Sequence, residues 1–395
     1  MVAETPAYNG QTAGVTDPKN RNKVMTAAEA IEKYVRPGAC LCVGGFGYTR
    51  LPMTLIREII RRQIGDLFVT TCGAAAAMEC LAANGLVRRL DTTYIGLEGL
   101  QPVAFSLRRQ IEDGDIELIE DYDNYSYVTR ALAARYGWPF APAMCGLGSD
   151  LLEHDNFGAA GLRGRRADGS WLHPSVPPRH HAVIDDPFDG WGLRPHQFEG
   201  GDSTANQTNA LDEIRRSSAY TGRDGVKVVL VPPLLPEVVI IRAQRVGEDG
   251  TVRLEGVWGA DTELALAAKT LLVECEQIVP EDEMRAAPEA NTIGAHYVDA
   301  IIEQPFGGYP SAVPGYYDYD WDFWVNYSRI NKGGKEEVKE WWRRYVVETA
   351  DDWDFLLNKV GGETAASGGA RGWTRLFELR ADPEYGYNPH LKRTL

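Results

Sequence analysis

Short apolar runs and amphipathic stretches alternate along the first half of this chain. Residues 39–43 (ACLCV) read as a strand running into Gly44-Gly45-Phe46-Gly47, whereas Leu55, Ile56, Ile59 and Ile60 recur at helical spacing over 52–63. Thr26 and Glu29 have the spacing of a capping box and open a helix that stops before Pro37-Gly38. The same reasoning predicts strands over 67–71, 92–95 and 116–119, and helices over 74–84, 105–113 and 127–136. Strand patterns return at 226–231, 238–242, 251–255, 271–273 and 297–302, with a helix over 265–268. Such alternation predicts an α/β fold, a mainly parallel sheet with helices on both faces.

Two stretches break the pattern. Residues 151–225 are dense in Gly, Pro, Arg, Asp and His and read as a long irregular insertion, a kind of loop that is usually functional or interface-forming. From Tyr316 on, the chain holds six of its ten tryptophans and a helix predicted over 336–348. There Trp341, Trp342 and Tyr345 point to an aromatic packing face or a subunit face. The expected organisation is an N-terminal arm (1–24), an α/β domain (25–330) carrying the insertion, and an aromatic-rich helical tail (331–395).

Composition narrows the function classes. A net charge of −15 argues against nucleic acid or an anionic membrane as the main partner. No run of about 18 apolar residues occurs, and the N-terminus lacks the apolar core of a signal peptide. The six cysteines lie mostly in apolar segments, which predicts reduced thiols in a cytoplasmic protein. Cys40 and Cys42 share one strand face and read as packing residues, not a zinc site. Five of the seven histidines (His154, His173, His180, His181 and His196) fall in the insertion near Asp155, Asp185 and Asp186. Their spacing repeats no ligand motif, so no metal is expected. The pairs Arg61-Arg62, Arg88-Arg89, Arg165-Arg166 and Arg215-Arg216 read as solvated faces, with phosphate contact as the alternative.

Candidate chemistry gathers at the glycines after the predicted strands, at 44–47, 73 and 96, the edge where open α/β sheets bind ligands. The dinucleotide fingerprint is not met, because Gly45 and Gly47 are followed by Tyr48, Thr49 and Arg50. A tight turn without a ligand is equally compatible with the glycines alone.

The longer pattern says more. Pro37-Gly38, an apolar run, Gly44-Gly45-Phe46, three free positions and Arg50-x-Pro52 resemble the first strand and turn of the family I CoA-transferase α subunits. That family has Gly where this chain has Arg50, and a polar residue where it has Pro37. The stretches 119–125 (IEDYDNY), 137–140 (GWPF), 146–150 (GLGSD), 297–303 (YVDAIIE) and 305–310 (PFGGYP) are similar to the glutaconate CoA-transferase A-subunit branch. The resemblance covers roughly 25–150 and 226–330.

It implies a CoA-transferase/NagB-RpiA-like fold and an α2β2 enzyme that moves coenzyme A between an acyl-CoA and a carboxylic acid. It also implies no permanently bound cofactor, with the CoA thioester as substrate. The nucleophile of that family is a Glu in a Ser-Glu-Asn-Gly motif of the β subunit. Glu98, Glu199 and Glu255 each precede Gly here, but none has the flanking Ser and Asn. The catalytic Glu is therefore expected on a partner β subunit. The resemblance assigns an oxyanion role to the backbone of Gly44, Gly45 and Phe46. On the substrate side it assigns Thr49, Cys72, Gly73, Glu98, Tyr122, Tyr125, Gly146, Gly148 and Ser149. Steroid ring-opening hydrolases of the same branch carry an acid/base Glu in the α-type polypeptide, at the position that aligns with Asn124. Asp121 and Asp123 lie beside it and can instead cap the following helix. A hydrolase or lyase on the same scaffold, a sugar-phosphate isomerase of related fold and a non-catalytic scaffold subunit remain open alternatives.

Overall fold

The computed structural model describes residues 23–152, 159–188, 221–222, 225–360, 371–384 and 386–391. His154, Asp155, His196, Glu199, Arg215 and Arg216 lie outside the described residues.

The first helix, α1 (Ala27–Tyr34), starts as its sequence predicts. The Thr26 hydroxyl accepts from the Glu29 amide, and the Glu29 carboxylate accepts from the Thr26 amide. Then come β1 (Cys40–Val43), α2 (Met53–Arg61), β2 (Leu67–Thr71), α3 (Ala75–Ala83), β3 (Val87–Thr92), α4 (Phe105–Glu112), β4 (Glu117–Asp121) and α5 (Asn124–Tyr136). Short strands β5 (Ala141–Ala143), β6 (Ala182–Asp185) and β7 (Thr221–Gly222) lead to β8 (Gly225–Val231). The rest comprises β9 (Val238–Gly247), β10 (Val252–Arg253), α6 (Asp261–Ala267), β11 (Thr270–Val279), α7 (Glu281–Ala286), β12 (Ala300–Glu303), α8 (Trp321–Lys332), α9 (Lys335–Trp342) and α10 (Arg371–Leu379).

The main sheet runs β12-β11-β9-β1-β2-β3-β4, parallel throughout, with β10 antiparallel on β9. The strand order reverses between β1 and β9, which opens a crevice beyond their carboxyl ends. β9 pairs with β1 only through Ile240 and then continues along β11, so its second half stands beside that crevice as a wall.

Two predicted strands are placed differently, and β5, β6 and β7 form where the sequence reading gives no strand. β3 ends where the predicted strand begins, because Arg88 and Arg89 interrupt the apolar run. Both reach Glu117 on neighbouring β4, at 2.6 and 3.4 Å, so the charge is matched across strands. β8 leaves the main sheet altogether and pairs antiparallel with β5, β6 and β7. Part of the insertion is thus ordered by pairing with the strand that follows it.

The core is closed by the tail. β1, β2 and α3 are buried along their whole length. Trp324, Tyr327, Trp341 and Trp342 join the same apolar cluster as Leu41, Leu55 and Met78. Trp341 stacks on Tyr345 at 4.4 Å, an aromatic packing face turned inward. Glu79 of α3 accepts from the Ser106 and Leu107 amides at the start of α4 (2.9 and 3.0 Å) and from the Tyr327 hydroxyl (3.2 Å). Arg57 of α2 grips Asp352 with two nitrogens, at 2.5 and 2.7 Å, and donates to the Tyr309 and Gly307 carbonyls. Close by, Arg242 of β9 meets Glu274 and Glu276 of β11. Glu274 also accepts from the Leu55 amide (3.0 Å), and Glu276 from the Phe306 amide (2.8 Å) and the Tyr317 hydroxyl (2.5 Å).

The described part of the insertion clamps onto β4. Arg163 pairs with Glu120 at 2.7 Å, and the His180 ring stacks on Tyr122 at 4.1 Å while its carbonyl accepts the Tyr122 hydroxyl at 2.7 Å. Below that ring lies the Arg130 guanidinium, 4.0 Å from its centre and paired with Asp91 at 2.9 Å. Burial pushes the Glu120 carboxyl up to about 7, aided by Asp91 and opposed by Arg130 and Arg163.

Removing one partner of a buried ion pair leaves the other charge without compensation. Asp352→Ala should therefore lower the unfolding free energy by about 3–5 kcal/mol in urea titrations. Glu120 predicts a pH effect. Its folded pKa lies above the unfolded value of about 4.3, so its stabilising contribution is full below that value and is lost as pH rises through about 7. The stability advantage of the native protein over Glu120→Gln should shrink across that window, read as thermal midpoints of both proteins at several pH values.

Candidate active site

The turn after β1 is built almost entirely from contacts within the chain. The Gly44 amide extends the β1–β9 ladder to the Ile240 carbonyl at 2.9 Å. Gly45, at φ +91°, donates to Asp261 Oδ1 at 2.6 Å. Phe46 and Thr49 exchange amide–carbonyl bonds of 3.0 and 2.8 Å, and the Gly47 amide donates to the Gly73 carbonyl at 2.8 Å. Arg50 sits at φ +49°, a left-handed conformation that glycine adopts without a steric penalty.

These bonds revise the oxyanion expectation. The amides of Gly44, Gly45 and Phe46 are all committed inside the chain, so they are not aimed at a ligand. The glycines answer to close packing instead. A Cβ on Gly44 would lie 2.7 Å from Asp261 Oδ1, and one on Gly73 would lie 2.7 Å from the Phe46 ring. What approaches this backbone is the protein's own carboxylate and its own phenyl ring.

Arg50 is fully buried and reaches no ligand space. Its Nη2 donates to Asp261 Oδ2 at 2.8 Å, and its Nη1 donates to the carbonyls of Glu255 (3.3 Å) and Val257. Burial pushes the Asp261 carboxyl up, opposed by the Arg50 charge and the Gly45 amide. Asp261 is the residue that sequence reasoning missed. Its signal is the acidic start of a helix, Asp261-Thr262-Glu263, together with a cation at Arg50 that has to be matched.

The mouth forms around Phe46, which is 39% exposed and seated between Gly73 and Gly259. Glu98 covers Gly47, and its carbonyl accepts the Tyr48 hydroxyl at 3.1 Å. Tyr48 itself packs on Tyr319 and Trp324 at 5.7 and 5.1 Å, so the start of α8 and the segment before it support the loop. Cys72 Sγ lies 3.9 Å from Asn124 Oδ1. Asn124 is exposed at the first position of α5, which Asp123 caps by accepting the Tyr125 and Ser126 amides at 2.9 Å each.

The carboxyl ends of the strands thus bring together the Gly44, Gly45, Phe46, Thr49, Gly73 and Glu98 group, with Cys72 and Asn124 adjoining. Tyr125 is 74% exposed beside Asn124. Tyr122 is a correction: it is buried, and its hydroxyl is used by His180. Gly146, Gly148 and Ser149 form a turn closed by the Ser149 hydroxyl on the Gly146 carbonyl at 2.7 Å. Gly146 lines a narrow cleft with Tyr122, Asp123, His180 and His181, and that cleft shares no lining residue with the 44–49 loop. Glu255 pairs with Arg245. Among the described residues no group of three His, Cys, Asp or Glu could hold a metal ion, and no helix is long and apolar enough to cross a membrane.

Comparison with known proteins agrees with this geometry. The sequence pattern of the family described as Coenzyme A transferase matches residues 24–304. The A chain of glutaconate CoA-transferase from Acidaminococcus fermentans is 31% identical, over 93% of this chain and 97% of its own. The crystal structure of glutaconate coenzyme A-transferase from that organism superposes with a TM-score of 0.72 over 93% of this chain and 98% of that one. The corresponding polypeptide of 3-oxoadipate CoA-transferase from Pseudomonas knackmussii is 26% identical over 86% of this chain and 99% of its own. The cholesterol ring-cleaving hydrolase IpdA subunit of Rhodococcus jostii is 24% identical over 87% of this chain and 99% of its own. A near full-length match, a parallel sheet of the same build and a glycine turn at its switch point lead to one assignment: the chain belongs to the Coenzyme A transferase family.

Proposed function

We propose that this chain is the α-type subunit of a CoA-transferase made of two kinds of polypeptide, assembled as α2β2, with the nucleophilic Glu on its partner. One observation carries the reading. The described carboxylates nearest the crevice are engaged within the chain: Asp261 by Arg50, Glu255 by Arg245, and Asp123 by the Tyr125 and Ser126 amides. Glu98 is exposed at the mouth, but it stands on a loop that lacks the Ser-Glu-Asn-Gly context.

The chemistry balances as two exchanges. The partner carboxylate attacks the acyl-CoA carbonyl, releasing CoA thiolate and leaving a mixed anhydride. The thiolate then attacks the glutamyl carbonyl, giving a glutamyl-CoA thioester and the free acyl carboxylate. An acceptor carboxylate repeats both steps in reverse and leaves as the new acyl-CoA. In this scheme Phe46, Gly73, Cys72, Asn124 and Glu98 form the wall of the acyl site, and the 44–49 turn sets its shape. Tyr125 and Thr49 stand at its rim. No cofactor is bound permanently. The free thiols at all six cysteines fit a reducing cytoplasm.

The test is to co-purify the chain with its partner, incubate with an acyl-CoA and follow intact masses. A CoA adduct on the partner polypeptide, discharged by a carboxylic acid into a new acyl-CoA, is the expected result. An adduct on this chain, or turnover with water alone, would replace the reading with self-contained catalysis or hydrolysis.

A further inference from the structure

We propose that Arg50 and Asp261 act as a positioning pair that couples the 44–49 loop to the lip at 255–259, so that both sides of the mouth hold as one piece. The consequence for turnover rests on the CoA-transferase reading, whereas the coupling itself does not.

The two carboxylate oxygens of Asp261 have separate partners. Oδ1 accepts the Gly45 amide, which fixes the loop, and Oδ2 accepts Arg50. From the same guanidinium, Nη1 turns to the carbonyls of Glu255 and Val257, which fixes the lip. Both side chains are fully buried, yet Val257 is 72% and Trp258 45% exposed directly above them. The lip therefore owes its position to polar bonds from below, because much of its apolar surface is not packed. Phe46 meets the lip from the loop side, with its Cβ 3.2 Å from where a Cβ on Gly259 would sit. One ion pair thus bonds the loop through an amide and the lip through two carbonyls, across more than 200 residues of sequence.

Packing alone would not call for this arrangement. An apolar pair would fill the same space, but it would leave the Gly45 amide and the Val257 carbonyl without these partners, the Glu255 carbonyl keeping the Gln244 side-chain amide at 2.9 Å. Arg50 also holds a left-handed backbone where glycine is easier, and the direction of its side chain gives a reason for that.

The experiment uses the chain with its partner polypeptide, in three forms: Asp261→Asn, Arg50→Gly and the double variant. Deuterium uptake should rise together in the peptides covering 44–49 and 254–260 in each single variant, and stay unchanged over 335–347. Misplacement of the wall should lower kcat roughly 10–100-fold with KM moving less than about threefold. The double variant leaves neither charge buried alone and should be more active than Asp261→Asn. Uptake rising in only one of the two segments, or in neither, overturns the coupling. A double variant that is worse than Asp261→Asn, or a kcat that stays unchanged while uptake rises in both segments, overturns the consequence for turnover and leaves the coupling standing. If Asp261→Asn does not fold, Arg50→Gly decides by the same two peptides. If the unmodified complex transfers no CoA to any carboxylic acid, the functional reading falls, and the paired uptake still decides the coupling.

Discussion

Charge withdrawn from water must be matched where it is buried, and at the carboxyl edge of this sheet it is matched again and again. Asp261 sits on Arg50, Asp352 on Arg57, and Glu274 with Glu276 on Arg242, all at or near full burial. Each pair also takes backbone amides or carbonyls from a second segment, so it joins pieces of chain as well as neutralising charge. Ion pairs of this kind add little net stability over apolar packing, but breaking one leaves the other charge buried without a partner. The loops around the crevice are irregular in sequence, and the pairs beneath them supply a definite geometry.

That view changes what the glycine turn is for. Glycines after a strand invite the idea of a ligand lying on the backbone, and the amide directions tempt one to draw an oxyanion hole. In this chain the approach is internal: a carboxylate lies against Gly44 and a ring lies over Gly73. The turn contributes shape, with Phe46 presented at the mouth, and under the proposed function the nucleophile comes from another polypeptide. A subunit that supplies a wall and no attacking group fits an enzyme whose site is completed by assembly.

Much of the architecture was legible in the sequence because period and punctuation agree there. The Thr26–Glu29 cap, the helix over Leu55 to Ile60 and the strand before Gly44 all follow local rules that tertiary contacts do not override. β3 escaped because Arg88 and Arg89 hide its pattern, and their compensation by Glu117 lies on another strand. β8 read as a member of the main sheet because pairing partners are not encoded in alternation. At the candidate site, the strand ends followed from the glycines that close β1 and β2, whereas Asn124 entered only through the family resemblance. Asp261 was not, since its importance arises only when Gly45 and Arg50 are brought to it from more than 200 residues away. Tyr122 misled for the opposite reason: it stands two residues before Asn124, but its own ring turns under His180.

The pairing of Arg57 with Asp352 spans 295 residues, and it bears on how the protein is made. A ribosome delivers every strand of the main sheet before the tryptophans and the aspartate that cover α2 and α3 have been synthesised. The family pattern likewise ends at residue 304, short of those covering elements. For most of its synthesis the nascent chain therefore displays an apolar face and an unmatched arginine that nothing yet occupies. Until residues 321–352 arrive to cover it, that surface is of the kind that makes a folding intermediate prone to aggregation.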